Sequence, residues 1–396
     1  MKRSTCGGCD SADLAEFLNL GSSPIADLLS SDPADPVATY PLKLAVCTRC
    51  WLVQLMEVLP SEALYNGEYT YYAGVAKRSY HEALVARLVE RYLPDLGFVV
   101  EVASNDGGLL SFFQDAGHRV LGVDPATGPA AVAAEHGVET ITEPFGRSTA
   151  AHIASAYGHP DLIIANHVVA HIADLDGFFA AAAELLAPTG RLSVEVQYIA
   201  DLITGNQIDN VYHQHRYFFS VSSLSAVAWR HGFELDTYRE VEPQGGSIHA
   251  VFHRATGSTP KPPPHGERWL RNLSTYAGMQ ARAERIRDRL TEIMAGEQCA
   301  GRSMAAYGAS AKSTTLLNFT GVSGMLDYVV DTTPAKIGKY LPGTGLEIKS
   351  PEQEKTRADT YLLTVWNYLP KVVRQESAFM ADSGRLIVPI PLPVLL

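Results

Sequence analysis

Short apolar runs that end in small or acidic residues recur through the middle of the chain, each followed by a stretch of helical spacing. Gly97 to Val102 is one such run, closed by the turn Ala103-Ser104-Asn105-Asp106-Gly107-Gly108, after which Leu109 to Ala116 reads as a helix. His118 to Val123 is a second, with Asp124 and Pro125 at its end. Asp161 to Asn166 and Arg191 to Tyr198 follow, separated by an amphipathic helix around Leu175 to Leu186. Strands alternating with helices predict an α/β unit built on a parallel sheet, with ligand at the carboxyl ends of the strands. Beyond the Pro-rich stretch Thr259 to Pro264 the pattern predicts a long polar helix from about Glu267 to Gly296. A second α/β unit comes next: strand Ser303 to Tyr307, turn Gly308-Ala-Ser-Ala-Lys312, a helix, then strands Leu326 to Asp331, Thr360 to Val365 and Leu386 to Ile390.

A chain of 396 residues exceeds what one core usually supports. The pattern divides it into 1–66, 67–258 and 259–396. No apolar run approaches the roughly eighteen residues needed to cross a bilayer, so no membrane partner is expected. The first residues run into a cysteine pair without a secretory apolar stretch, which points to the cytoplasm and reduced thiols. A formal net charge of −11 argues against a nucleic-acid surface. A small anion can still be held locally by a lysine and helix N-terminal amides. A monomer is the default.

Cys6-Gly-Gly-Cys9 and Cys47-Thr-Arg-Cys50 are two CxxC pairs separated by 37 residues. In a reducing compartment they suit one tetrahedral zinc ion, and four protein ligands leave no open position, so the site is expected to be structural. It would hold together a segment too small to bury its own core. A redox role needs only one pair. Cys299 reads as a lone thiol.

The first turn of the central unit lacks GxGxxG and carries acids where a pyrophosphate would need bare amides. Glu101 and Asp106 would repel phosphate, whereas Asp124 can accept both hydroxyls of a ribose. An ammonium, a ribose and no phosphate describe S-adenosylmethionine. Glu101, Ser104, Asn105, Asp106, Gly107, Asp124 and Pro125 are its candidate contacts, with Asn166 and His167 at the next strand end. A strand, turn and helix alone also occur in α/β domains that bind no nucleotide.

The two CxxC pairs continue into Tyr40-Pro-Leu-Lys-Leu-Ala-Val-Cys47 and Cys50-Trp-Leu-Val-Gln-Leu. Later come Glu101-Val-Ala-Ser-Asn-Asp-Gly107, Ala165-Asn166-His-Val-Val-Ala-His171-Ile, Glu195-Val-Gln-Tyr, Val211-Tyr212-His213-Gln214-His215 and Gly245-Gly246-Ser247. Tyr307-Gly308-Ala-Ser-Ala-Lys312, the run from Asp331 through Lys336 and Tyr340 to Gly343, and Val365-Trp366-Asn367 complete the series. With these motifs the chain resembles, over nearly its whole length, the sugar C-methyltransferases that act on dTDP-linked 4-keto deoxysugars in antibiotic biosynthesis. The resemblance implies a zinc-binding N-terminal domain, a Rossmann-like methyl-donor domain and a second Rossmann-like C-terminal domain that helps hold the nucleotide. It also implies that Tyr212 and His215 are catalytic, with His171 and Tyr71 as further active-site groups. Two positions depart from the family pattern: Ala103 replaces a glycine usual in the donor loop, and Gln214 stands where many relatives have Glu.

Methylating carbon requires a carbanion-like nucleophile, hence a base beside a carbonyl and a donor for the developing enolate oxygen. On a helical turn Tyr212 and His215 share a face; on a strand they do not. Gln214 can hydrogen-bond a neighbouring histidine but adds no charge to tune it. Ser310 and Lys312 are candidates for diphosphate contact, with Lys336 and Ser247 beside them; each could equally cap a helix or face water. An O- or N-methyltransferase, a methyltransferase acting on a ketone without a nucleotide, and a non-catalytic sugar-nucleotide binder are the rival readings.

Overall fold

The computed structural model describes residues 3–64, 78–257, 259, 264–351 and 357–396. β1 (Leu14–Pro24), β2 (Thr39–Cys47) and β3 (Val53–Leu55) pair antiparallel in that order. One CxxC pair precedes β1, and the other turns the chain from β2 into β3, with Trp51 in the left-handed region at φ 61°.

The central sheet begins with β4 (Phe98–Val102), whose residues are all buried. Burial on both faces is why it reads as an apolar run interrupted only by Glu101. β5 (Arg119–Val123), β6 (Thr140–Ile141), β7 (Leu162–Asn166) and β8 (Arg191–Gln197) join it in parallel. The chain then leaves this sheet: β9 (Tyr217–Phe218) pairs antiparallel with β3 and becomes the fourth strand of the N-terminal sheet. β10 (Phe233–Val241) and β11 (Ser247–Arg254) return to the central sheet, giving the order β10-β11-β8-β7-β4-β5-β6. The sheet is thus not wholly parallel. β10 and β11 form a hairpin, so β11 must run against β10, and it lies antiparallel beside β8. Their connection passes through Gly246 at φ 116°, where a Cβ would lie 2.1 Å from the Asp201 carboxylate.

The C-terminal sheet has the order β14-β13-β12-β15-β16-β17. β12 (Met304–Tyr307), β13 (Val329–Val330), β14 (Ile348–Lys349), β15 (Thr360–Leu363) and β16 (Arg385–Val388) are parallel, and β17 (Val394–Leu395) closes the edge antiparallel. The long helix expected from Glu267 begins only at Met279 and runs to Cys299. Before it lie two 3-10 segments, His265–Arg271 and Leu273–Thr275. Buried Glu267 is used elsewhere: its carboxylate accepts the backbone N–H groups of Val221 and Ser222, both at 2.7 Å, at the start of helix Val221–Trp229.

One apolar cluster runs without a break from Cys6, Leu18 and Val46 in the N-terminal sheet through Val100, Ile163 and Val196 to Phe219 and Ile286. Apart from a small cluster of Ile25, Leu59 and Leu64, the described residues of the N-terminal segment share the core of the central sheet. A second cluster, including Leu290, Met304, Val329 and Ile387, fills the C-terminal unit.

Candidate active site

Residues Tyr212 to His215 form neither helix nor strand but a tight turn, in which the His215 N–H donates to the Tyr212 carbonyl at 2.9 Å. The turn is fastened on two sides. The Arg216 N–H donates to the Ala170 carbonyl at 2.8 Å, next to His171, and the Arg216 carbonyl accepts the Leu55 N–H of β3 at 3.0 Å. The turn brings Tyr212 and His215 together as a helical turn would: Oη lies 2.7 Å from Nε2, with ring centroids 3.9 Å apart.

His215 Nδ1 lies 2.9 Å from the Asn210 carbonyl oxygen. A carbonyl can only accept, so Nδ1 carries the hydrogen, and in the neutral ring Nε2 is the basic nitrogen, accepting from the Tyr212 hydroxyl. Burial, then the neighbouring His171, holds His215 well below the usual imidazole range, so the ring is neutral at pH 7. The His171 ring stands nearly perpendicular to it at 5.0 Å. Burial lowers His171 to about 4, with His167 and Arg216 adding to the effect.

Gln214 lies apart from this pair. Its Nε2 donates to the Asp27 carboxylate at 3.3 Å, and its Oε1 has no hydrogen-bond partner among the described residues. Gln214 does not make the hydrogen bond to His215 that its adjacency allowed: within a tight turn successive side chains diverge, and the Asn210 carbonyl orients the ring instead. Tyr71 lies outside the described residues.

At the ends of β7 and β8, His167 Nε2 lies 2.7 Å from Glu195 Oε1, and the Tyr80 hydroxyl donates to the other carboxylate oxygen. Burial works to raise Glu195, but His167 and the two hydrogen bonds outweigh it and bring the carboxyl to about 2. Asn166, at the end of β7, has a buried Oδ1 with no hydrogen-bond partner among the described residues. Glu195 and Tyr80 were absent from the sequence-derived site. For Glu195 the signal was available, as an acid near the carboxyl end of an apolar strand; Tyr80 lies on helix Arg78–Tyr92 and carries none.

The loop after β4 is shaped by backbone. The Asn105 and Ala126 N–H groups donate to the two Asp124 oxygens at 2.9 and 2.8 Å, and the Gly108 N–H donates to Asp106 at 3.2 Å. Ala103, Asn105 and Gly107 are left-handed at φ 59°, 52° and 71°. A left-handed φ at 103 accounts for a preference for glycine there, and alanine costs about 1 kcal/mol in that conformation. Pro125 carries the chain from Asp124 toward helix Thr127–Glu135. Among the described residues, buried Glu101 Oε2 and Ser104 Oγ have no hydrogen-bond partner. Burial first, then Asp106 and Asp124, pushes Glu101 well above the carboxylate range. A cationic ligand with several donors would relieve both features, which is the fit expected for the ammonium and ribose of S-adenosylmethionine.

The four CxxC sulfurs lie within 4.8 Å of one another, with Cys6 and Cys50 at 3.5 Å and Cys9 and Cys47 at 3.6 Å. These spacings are far too long for disulfides and close to the roughly 3.8 Å edge of a tetrahedral zinc–thiolate site.

The C-terminal candidates are dispersed. Ser310 and Ser313 cap helix Ala311–Thr320 reciprocally. Lys336 Nζ donates to the Ala309 carbonyl at 2.7 Å and lies 3.9 Å from Asp331, so it braces the turn. Ser247 is fully buried and donates to the Pro243 carbonyl at 2.8 Å. These three side chains serve local structure, because each sits where a turn leaves a backbone acceptor or donor to satisfy. Lys312 is different: it is buried, with Nζ 5.8 Å from the Trp366 ring centroid. Its charge also acts on Asp209, which burial raises to about 6 despite the lysine.

Three family models match in succession: a proposed zinc binding domain over residues 6–65, a methyltransferase domain over 76–238, and a C-methyltransferase C-terminal domain over 243–391. The chain is 36% identical to the C-methyltransferase NovU of Streptomyces niveus over 98% of its own length and 96% of that protein. It is 31% identical to a ubiquinone biosynthesis O-methyltransferase of Azorhizobium caulinodans, over 33% of this chain and 56% of that one. Among solved structures, the PH0226 protein of Pyrococcus horikoshii OT3 aligns with 47% of this chain and 95% of its own, at 19% identity and a TM-score of 0.37. Magnesium protoporphyrin IX methyltransferase of Synechocystis PCC 6803, solved with bound SAM, aligns with 45% of this chain and 79% of its own, at 15% identity and a TM-score of 0.35.

Proposed function

The chain belongs to the S-adenosylmethionine-dependent C-methyltransferases with an N-terminal zinc site, and from that premise we propose that it methylates C3 of a dTDP-linked 4-keto deoxysugar through an enolate, in deoxysugar biosynthesis. The observation that supports this most is the Tyr212–His215 pair, in which a neutral imidazole offers Nε2 with its tautomer fixed by a carbonyl. An O- or N-methyltransferase needs no base matched to a C–H; a ketone acceptor does.

S-adenosylmethionine, bound at the loop of Glu101, Ser104, Asn105, Asp106 and Gly107 with Asp124 beside it, supplies the methyl group. His215 takes the proton from C3, and the electron pair moves into the ring carbonyl as enolate. Tyr212 or His171 donates to the developing oxygen, and the enolate carbon would then accept the methyl group as its bond to the donor's sulfonium sulfur breaks and leaves a neutral thioether. The 2.7 Å hydrogen bond also favours a second reading, in which the Tyr212 oxygen takes the C3 proton while its own passes to Nε2. The nucleotide is assigned to the C-terminal unit, 259–396, near Ser310 and Lys312. Among the described residues no helix is long and apolar enough to cross a membrane.

The test is deuterium wash-in at C3 of dTDP-4-keto sugars with donor withheld, followed by turnover with labelled donor. His215→Ala should lower both by a factor of about 10² to 10⁴ and leave donor binding intact. Tyr212→Phe separates the readings: loss of wash-in favours the relay, and retained wash-in favours direct abstraction. Near-normal turnover in His215→Ala removes the base from this assignment.

A further inference from the structure

The carbonyl that fixes the His215 tautomer belongs to a short 3-10 segment, Ile208–Asn210, which is itself held from the C-terminal unit. Trp366 Nε1 donates to Asp209 Oδ2 at 2.6 Å, and Thr315 Oγ1 donates to the Val211 carbonyl at 2.9 Å. These bonds grip the residues on either side of Asn210. From the central unit, Gln207 Oε1 accepts the Asn210 side-chain amide at 2.8 Å, and Gln207 Nε2 donates to the Gly245 carbonyl at 2.6 Å. Asp209 and Asn210 are almost completely buried, and Thr315 is 1% exposed, so the Thr315 anchor cannot be exchanged for water without opening the interface between the units.

We propose that Trp366 and Thr315 are positioning residues for the base: by clamping Asp209 and Val211 they aim the Asn210 carbonyl at His215 Nδ1, and so keep Nε2 unprotonated and directed at Tyr212. The C-terminal unit would then take part in building the catalytic centre as well as in holding a nucleotide. This rests on the reading of His215 as the base. If the clamp is lost, the 3-10 segment is free to rotate its peptide planes, and the ring can carry its hydrogen on Nε2, the form that cannot accept a proton there. A catalytic group displaced by about 1 Å can lose two orders of magnitude in rate.

The experiment compares wild type, Thr315→Val, Trp366→Phe and the double variant, each checked for zinc content and donor affinity. Two quantities are read: the tautomer of His215, from nitrogen-15 shifts of labelled histidine assigned by difference with His215→Ala, and kcat against KM for a dTDP-4-keto sugar. Wild type should show the Nδ1–H form. The double variant should show a mixture with Nε2–H and a kcat lower by about tenfold or more, with donor affinity unchanged. Asp209→Asn keeps an oxygen for Trp366 and should stay within about threefold of wild type, whereas Asp209→Ala should behave like Trp366→Phe. An unchanged tautomer and kcat in the double variant, with His215→Ala inactive, overturns the inference alone. An active His215→Ala overturns the underlying assignment. If the double variant does not fold, Thr315→Val carries the same two readouts.

Discussion

Glu101 is a buried carboxyl among two other acids, with an oxygen that no described residue satisfies. Burial and the neighbouring acids disfavour its charged form, and an arriving cation favours it. Because the donor-bound state favours the carboxylate, donor affinity should rise with pH through the Glu101 pKa and fall as pH drops below it. Titration calorimetry over a series of pH values, in buffers of different ionisation enthalpy, should show proton release on S-adenosylmethionine binding wherever Glu101 is protonated in the free protein. Glu101→Gln should abolish that release and weaken binding by about tenfold; binding without proton uptake or release would contradict the assignment. At this scale the sequence was informative wherever a residue sat at a strand end or in a spaced motif. Glu101, Asp124 and the cysteines were legible in that way. Gln214 was misplaced because which way a side chain leaves a turn depends on backbone dihedrals that adjacency does not reveal. Asn210 was missed because its contribution is a backbone carbonyl, common to every residue.

Among the elements, β9 has the most influence for its length. Two residues, Tyr217 and Phe218, leave the methyl-donor segment to pair with β3, and this pairing fixes the chain immediately after His215. Leu55→Pro would remove the N–H that donates to the Arg216 carbonyl. We expect kcat to fall by about tenfold or more while donor affinity stays within about twofold, since the donor loop lies on β4 and β5. A parallel loss of donor affinity would show that the substitution had damaged the fold generally. The periodicity located β4, β5, β7 and β8 in the central unit and β12, β13, β15 and β16 in the C-terminal one, but it missed the hairpin of β10 and β11, the longest strands of the central sheet. It could not locate β9, because two residues carry no period. It also overextended the helix before Met279, since a stretch with helical spacing was diverted when Glu267 became the cap of another helix.

On the scale of the whole molecule, the apolar cluster shared by the N-terminal sheet and the methyl-donor sheet means that the zinc site supports both. Removing the metal with a strong chelator should lower the unfolding temperature of these two units together, by about 10 °C or more, and replacing Cys47 with Ser should do the same. The C-terminal cluster is distinct, so its transition should move less. Calorimetry showing an unmoved methyl-donor transition would mean that the metal holds only its own knuckles. The sequence by itself determined the four-cysteine cluster, the alternation of strand and helix, and the presence of acids at or just beyond the ends of β4 and β5. Each of these is encoded locally, by spacing between ligands or by the period of burial. Only the tertiary structure decided how His215 is aimed. That depends on Leu55, Ala170, Asn210, Thr315 and Trp366 meeting around one turn, and contacts between residues so far apart follow from how the three sheets pack rather than from any local pattern.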